Sequence, residues 1–121
     1  MASHAQGYRS TASGLYSHAS GRNATASANS ASAIGYNVTA DQANSTVVGQ
    51  WNALNQGGLL FAVGNGEAED DRSDALQVDT AGNVLAAGRL FAEGSDLLQL
   101  VNNLQAQVYS MQIQLNLLQG E

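Results

Sequence analysis

Residues 15–49 read LYSHASG, RNATASA, NSASAIG, YNVTADQ and ANSTVVG, and this stretch repeats every seven residues. The units MASHAQG and YRSTASG precede it, so the repeat covers residues 1–49. The fourth place of each unit is polar, the fifth is Ala or Val, and the seventh is Gly in five of the seven units. A fixed short period is the signature of an architecture built from stacked repeats.

The seven-residue period does not predict a coiled coil here. A coiled coil needs large apolar residues at the a and d positions, and each Gly would cost a helix about 1 kcal/mol. We interpret each unit as a strand of roughly five residues followed by a tight turn, with the seventh-place Gly supplying the turn. Two units then make one 14-residue coil of a parallel β-solenoid.

Stacked coils place residues 14 apart in columns with a spacing of about 4.8 Å. One predicted column contains Gln6, Ser20, Ile34 and Val48, and the other contains Ser13, Ser27 and Asp41. Because the first column becomes apolar at Ile34 and Val48, we expect it to face other subunits. The third, fifth and seventh places should point into the coil. A core that thin favours association with further copies of the roll.

SAIG (32–35) and STVVG (45–49), with the SxAxG spacing before them, resemble the YadA-like head repeats of trimeric autotransporter adhesins. Similar repeats occur in phage tail fibres. The resemblance implies a trimeric left-handed parallel β-roll over residues 1–49, with Ile34 and Val48 in the trimer interface. The sequence departs from the pattern at Ala28 and Gln42, where the family has the turn Gly, so we expect altered turns there.

Residues 50–93 lose the period and are predicted to form a β connector. The segment 57–66 predicts a strand between Gly turns, and 75–90 predicts a hairpin with its turn at residues 81–83. This pattern is similar to a connector of phage tail-fibre and bacterial surface-fibre proteins, which implies a junction between roll and stalk.

Six of the ten acidic residues lie between residues 67 and 79 of this connector: Glu67, Glu69, Asp70, Asp71, Asp74 and Asp79. They lack the frame of an EF-hand calcium loop. We therefore expect a solvated loop in which Arg72 pairs with a carboxylate.

Residues 94–121 predict a coiled-coil stalk with a helix of about 23 residues. Its a and d positions hold Leu97, Val101, Leu104, Val108, Met111, Leu115 and Leu118. Ser95 is the predicted cap of the first turn. Val at a with Leu at d does not select three strands over two, so the roll upstream is the reason to expect a trimer.

Composition excludes several function classes. The chain has four Arg, no Lys and a formal charge of -6, which argues against nucleic-acid binding. It has no Cys, so it has no disulfides and no thiol nucleophile. No apolar run approaches a membrane span of about 18 residues, and no signal peptide is visible. No catalytic triad or phosphate-binding loop is present, so we expect no enzyme and no cofactor.

Two sets of side chains are candidates for binding. His4 and His18 share one repeat position and should stack near a three-fold axis. They are weak candidates for a metal or anion site, and the alternative is packing between subunits. The predicted receptor-contact residues occupy the first two places of their units and are Tyr8, Arg9, Tyr16, Arg22 and Tyr36. The alternative is that they only cover the edge of the roll.

These features predict a mainly β protein with a C-terminal α-helix: a trimeric roll, a β connector and a trimeric coiled coil. The favoured function is a non-enzymatic homotrimeric fibre protein of a virion or phage tail. It would contact other fibre or tail proteins and present a surface to a host receptor or glycan. The alternative is a head-and-stalk fragment of a bacterial trimeric autotransporter adhesin at the cell surface. A glycan-cleaving enzyme would need a carboxylate-lined groove, for which the acidic loop is the candidate.

Overall fold

The computed structural model describes residues 2–120; Met1 and Glu121, at the ends of the predicted roll and stalk, lie outside this range. The chain is mainly β, with a solenoid of about four turns and one C-terminal helix in the described part. It forms two compact units that divide between Ala87 and Gly88. Each unit is described separately below.

The solenoid alternates long and short strands. The long strands are β1 (His4–Tyr8), β3 (His18–Arg22), β5 (Ser32–Tyr36) and β7 (Thr46–Gln50). The short strands are β2 (Thr11–Ala12), β4 (Thr25–Ala26) and β6 (Thr39–Ala40). Each long strand pairs in parallel with the next one in a shift of 14 residues, as in His4↔His18 and His18↔Ser32. The predicted 14-residue coil is therefore confirmed.

The interior of the solenoid is built from the third and fifth places of the units. Buried residues at these places are Ser17, Ala19, Ala24, Ala26, Ala31, Ala33, Val38, Ala40, Ser45 and Val47. The predicted inward direction of these two places is confirmed. The core consists of Ala, Val and Ser because only short side chains point between the two sheets.

The seventh-place glycines of the long strands do not form turns, and the prediction that they do is wrong. Gly7, Gly21, Gly35 and Gly49 lie within the strands with φ between +100° and +144°. A Cβ on Gly35 would lie 2.1 Å from the carbonyl oxygen of Gly49, so the stacked backbones exclude a side chain. The left-handed turn residues stand at the second place instead: Arg9, Tyr16, Asn23, Ser30, Asn37 and Asn44.

The expectation of altered turns at Ala28 and Gln42 is also wrong. The N–H of Ala31 donates to Ala28 at 3.3 Å and that of Ser45 to Gln42 at 3.2 Å. The N–H of Ser17 makes the same bond to Gly14 at 3.3 Å. The three turns share one shape because this position does not require a positive φ.

Three strands of the connector extend the sheet of the solenoid within the first unit. They are β8 (Leu59–Asn65), β9 (Asp74–Asp79) and β10 (Val84–Ala86), in the order β1-β3-β5-β7-β8-β9-β10. β8 pairs in parallel with β7, and Val63 lies opposite Val48, 15 residues earlier. β9 and β10 pair antiparallel. The predicted strand and hairpin are confirmed, although the hairpin's second strand ends at Ala86 rather than at residue 90.

The second unit contains a small hairpin and the helix. The hairpin strands are β11 (Phe91–Ala92) and β12 (Ser95–Asp96), joined by Glu93 and Gly94, both at positive φ. Helix α1 (Leu97–Gln119) has 23 residues, which confirms the predicted length. The N-cap is Asp96 rather than Ser95, because the Asp96 carboxylate accepts from the Leu98 N–H at 3.0 Å. Ser95 belongs to β12 and pairs with Ala92.

Candidate interaction surfaces

The outer face of the seven-stranded sheet carries the predicted column of residues. Gln6, Ser20, Ile34 and Val48 lie in register on successive strands, and the column continues through Val63 to Leu76. The predicted stacking of this column is confirmed. Its apolar part is solvent-accessible in the single chain, since Ile34 is 44% exposed.

Further apolar residues widen this face on the later strands. Phe61 lies opposite Val78, and Val78 lies opposite Val84. Val84 is 66% exposed in the single chain. The outer face is thus polar near β1 and apolar from β5 to β10. We call the apolar part, from Ile34 to Val84, the outer apolar face.

The imidazoles of His4 and His18 stack on the polar part of this face, as predicted. Their ring centroids are 5.3 Å apart and their planes differ by 7°. His4 Nε2 also lies 3.3 Å from Gln6 Oε1. Within residues 2–120, no three potential ligands of one chain form a metal-binding group. A metal at this pair would need ligands from further chains.

Tyrosine and arginine alternate along one edge of the solenoid, where the long strands end. Tyr8, Arg22 and Tyr36 lie in register on successive long strands. The Arg22 guanidinium lies 6.0 Å from the centroid of the Tyr8 ring and 5.5 Å from that of Tyr36. Arg9 lies 5.2 Å from the Tyr8 ring. We call these four residues the Tyr–Arg ladder; they are four of the five predicted receptor contacts.

The fifth predicted receptor contact, Tyr16, lies in the opposite turn of its coil, residues 14–17. Its side chain is not part of the ladder, and the residue is 65% exposed. The ladder is instead continued by Trp51, whose ring meets that of Tyr36 edge-to-face at 5.9 Å. Arg72 lies 5.1 Å from the Trp51 ring. Sequence reasoning did not name Trp51, and for Arg72 it predicted a carboxylate partner but not the contact with this ring. Trp51 stands at the second place of the next seven-residue unit, so extending the period would have found it.

Arg72 connects the acidic loop to the last coil of the solenoid through hydrogen bonds and an ion pair. Its Nη1 donates to the carbonyl oxygens of Asn52 at 3.2 Å and Asn37 at 3.4 Å. Its Nη2 pairs with the Glu69 carboxylate at 3.2 Å, which confirms the predicted carboxylate partner. The side chain is only 14% exposed. Arg72 therefore has a structural role.

Two further acids of the connector, Asp74 and Asp79, stand at the two ends of β9 rather than in a loop, and their carboxylates also accept hydrogen bonds. Asp74 accepts from the Ala53 N–H at 2.9 Å. Asp79 accepts from the backbone N–H groups of Asn83 at 2.9 Å and Ala81 at 3.0 Å. The bond from the Asn83 N–H is the largest cause that holds the pKa of Asp79 below its ordinary value. Asp74 thus connects β9 to the segment that follows β7, and Asp79 stabilises its own turn.

Helix α1 leaves its heptad seam uncovered in the single chain. No residue of α1 is buried. At the centre of the seam Leu104 is 60% exposed, Val108 57% and Met111 66%. In the described range, α1 is not apolar enough along its length to cross a membrane.

Comparison of the chain with protein families, curated proteins and solved structures finds no match.

Proposed function

We propose that this chain is a non-enzymatic, homotrimeric fibre segment of a virion tail or surface fibre. A left-handed β-roll head and a coiled-coil stalk would space and present a host-contact surface. The observation that carries the proposal is the exposed seam of α1, with apolar residues at a 4-3 spacing over 23 residues.

An isolated helix of this length is only marginally stable in water, and most helical stability comes from packing of an apolar face. Burying one Leu, Val or Met side chain stabilises a protein by about 1.5–3 kcal/mol. The seam offers seven such side chains per helix. Self-association through a and d positions would bury them in the way a coiled coil does.

The outer apolar face supports association through the first unit independently. The solenoid core is made of Ala, Val and Ser, so it buries little apolar area for its length. Ile34 and Val84 remain exposed on the outer face, where contact with a second copy would cover them. The number three comes from the resemblance of residues 32–49 to trimeric head repeats.

A structural role fits the environment of the carboxylates better than catalysis. A glycosidase needs two carboxyl groups that flank a bound sugar. Glu69 is paired with Arg72, Asp74 accepts from the Ala53 N–H, and Asp79 accepts backbone N–H groups of its own turn. These acids have partners that hold the fold.

The test is the mass in solution by light scattering, for the full chain and for a chain that ends at Asp96. A full chain near three times 12.5 kDa supports the proposal. A trimer that survives the truncation places assembly in the roll, and loss of the trimer places it in α1. A folded monomer of the full chain contradicts the proposal.

A further inference from the structure

Charge is divided unevenly along the chain. All ten acidic residues lie at Asp41 or later, whereas residues 1–40 contain Arg9 and Arg22 and no acid. The first three long strands therefore form a cationic end in a chain of formal charge -6. Both arginines of this end belong to the Tyr–Arg ladder.

These two arginines differ from the other two in their partners. Arg72 and Arg89 each have a carboxylate, Glu69 at 3.2 Å and Asp96 at 3.5 Å. Within residues 2–120, neither Arg9 nor Arg22 has a carboxylate within 4.0 Å. Their guanidinium groups lie against Tyr rings, and both side chains are exposed. A guanidinium has five N–H donors and binds a carboxylate in a two-point geometry.

The backbone beside the ladder is already hydrogen-bonded. The N–H groups of Asn23, Asn37 and Trp51 donate to the carbonyl oxygens of Tyr8, Arg22 and Tyr36 at 2.8, 2.9 and 3.2 Å. An extended peptide binds a sheet by adding a strand to free backbone groups. The ladder runs across the strands and presents side chains rather than free backbone groups. It therefore does not favour binding of a peptide by strand addition.

We propose that the Tyr–Arg ladder binds a linear polysaccharide that carries carboxylate groups. This inference rests on the proposed fibre function and specifies the ligand of its contact surface. The solenoid repeats its side chains at intervals of about 4.8 Å, so a polymer with repeated charges can contact several coils at once. The guanidinium groups bind the carboxylates, and the exposed phenol groups of Tyr8 and Tyr36, 58% and 41% exposed as residues, bond sugar hydroxyls.

The test is calorimetric titration of the full chain with polygalacturonate, a polymer of carboxylated sugars, and with uncharged dextran. We expect binding to polygalacturonate that weakens with added salt. Arg9→Gln and Arg22→Gln should each weaken it about tenfold, because each removes charge-assisted hydrogen bonds. The matched control is Arg89→Gln, which removes the same charge from the second unit and should leave affinity unchanged.

Three results would overturn the inference: no binding of polygalacturonate, equal weakening by Arg89→Gln, or binding of dextran sulfate or polyglutamate as tight as that of polygalacturonate. The last would indicate general attraction of polyanions. Light scattering on the same samples separates the two proposals. A trimer that fails to bind overturns the ligand alone, whereas a monomer contradicts the fibre function.

Discussion

The side chain of Asn52 bonds both backbone groups of Thr39. Its Oδ1 accepts from the Thr39 N–H at 2.7 Å, and its Nδ2 donates to the Thr39 carbonyl at 2.9 Å. Thr39 lies in β6, the last strand of the short-strand sheet. Asn52 is 1% exposed. One amide side chain thus takes the place of a further strand and closes this sheet.

We predict that Asn52→Ala destabilises the fold by about 2–4 kcal/mol, because it leaves two part-buried backbone groups of Thr39 without these partners. Chemical denaturation at fixed protein concentration measures the change in the free energy of unfolding. The control is Asn29→Ala, which removes an exposed bond of 3.1 Å to the Leu15 N–H. Equal effects of the two variants would show that Asn52 does not close the sheet.

We predict that Gly35→Ala destabilises the solenoid by more than about 3 kcal/mol. The backbone has φ +144°, and the new Cβ would lie 2.1 Å from the Gly49 carbonyl oxygen. Gly57→Ala is the matched control, since its Cβ meets nothing within 4 Å. Thermal unfolding followed by circular dichroism compares the two variants. A small shift for Gly35→Ala would contradict the backbone contact.

The register of the solenoid could be predicted from the period alone, because residues one coil apart must stack. Whether the repeated Gly residues lie in turns or within strands could not be predicted from the period. Gly serves both where φ is positive and where backbones approach closely, and a repeat of Gly does not distinguish these uses. In this chain Asn23 and Asn37 take the left-handed turn positions, while Gly21 and Gly35 lie within strands and combine a positive φ with close approach of the backbones.

The repeat does not predict where the solenoid ends, because the spacing between paired residues changes there from 14 to 15. Val63 lies opposite Val48 at a spacing of 15 residues, so the 14-residue pattern no longer places the residues of β8 and of the strands after it. Arg72 reaches Asn37 across a sequence separation of 35. Contacts at that distance depend on the course of the loop, which the repeat does not specify.

Asp79 provides a pH-dependent contribution to stability. Hydrogen bonds from Asn83 and Ala81 hold its pKa below the ordinary value. A carboxyl group with a depressed pKa in the folded state stabilises the fold above its unfolded pKa of about 3.9. That contribution is lost as the pH falls through the lower folded pKa.

We therefore predict that carboxyl NMR shifts of Asp79 titrate below the ordinary range. Asp79→Asn should reduce the loss of stability on acidification below about pH 4. Asp70→Asn serves as the control, since Asp70 is an exposed acid of the loop between β8 and β9. If both variants change the acid dependence equally, the hydrogen bonds around Asp79 are not its cause.

The proposed trimer predicts that single charges abolish assembly only at the buried surfaces. Leu104→Asp puts a carboxylate into the seam of α1, where burial of an unpaired charge is strongly unfavourable. Ala106→Asp adds the same residue on the opposite side of the helix and should leave the mass unchanged.

In the solenoid, Ile34→Asp should weaken assembly, whereas Ser27→Asp should not, since Asp41 already occupies that column one coil later. Light scattering measures all four masses. A trimer that tolerates both Leu104→Asp and Ile34→Asp would show that neither surface holds the subunits together.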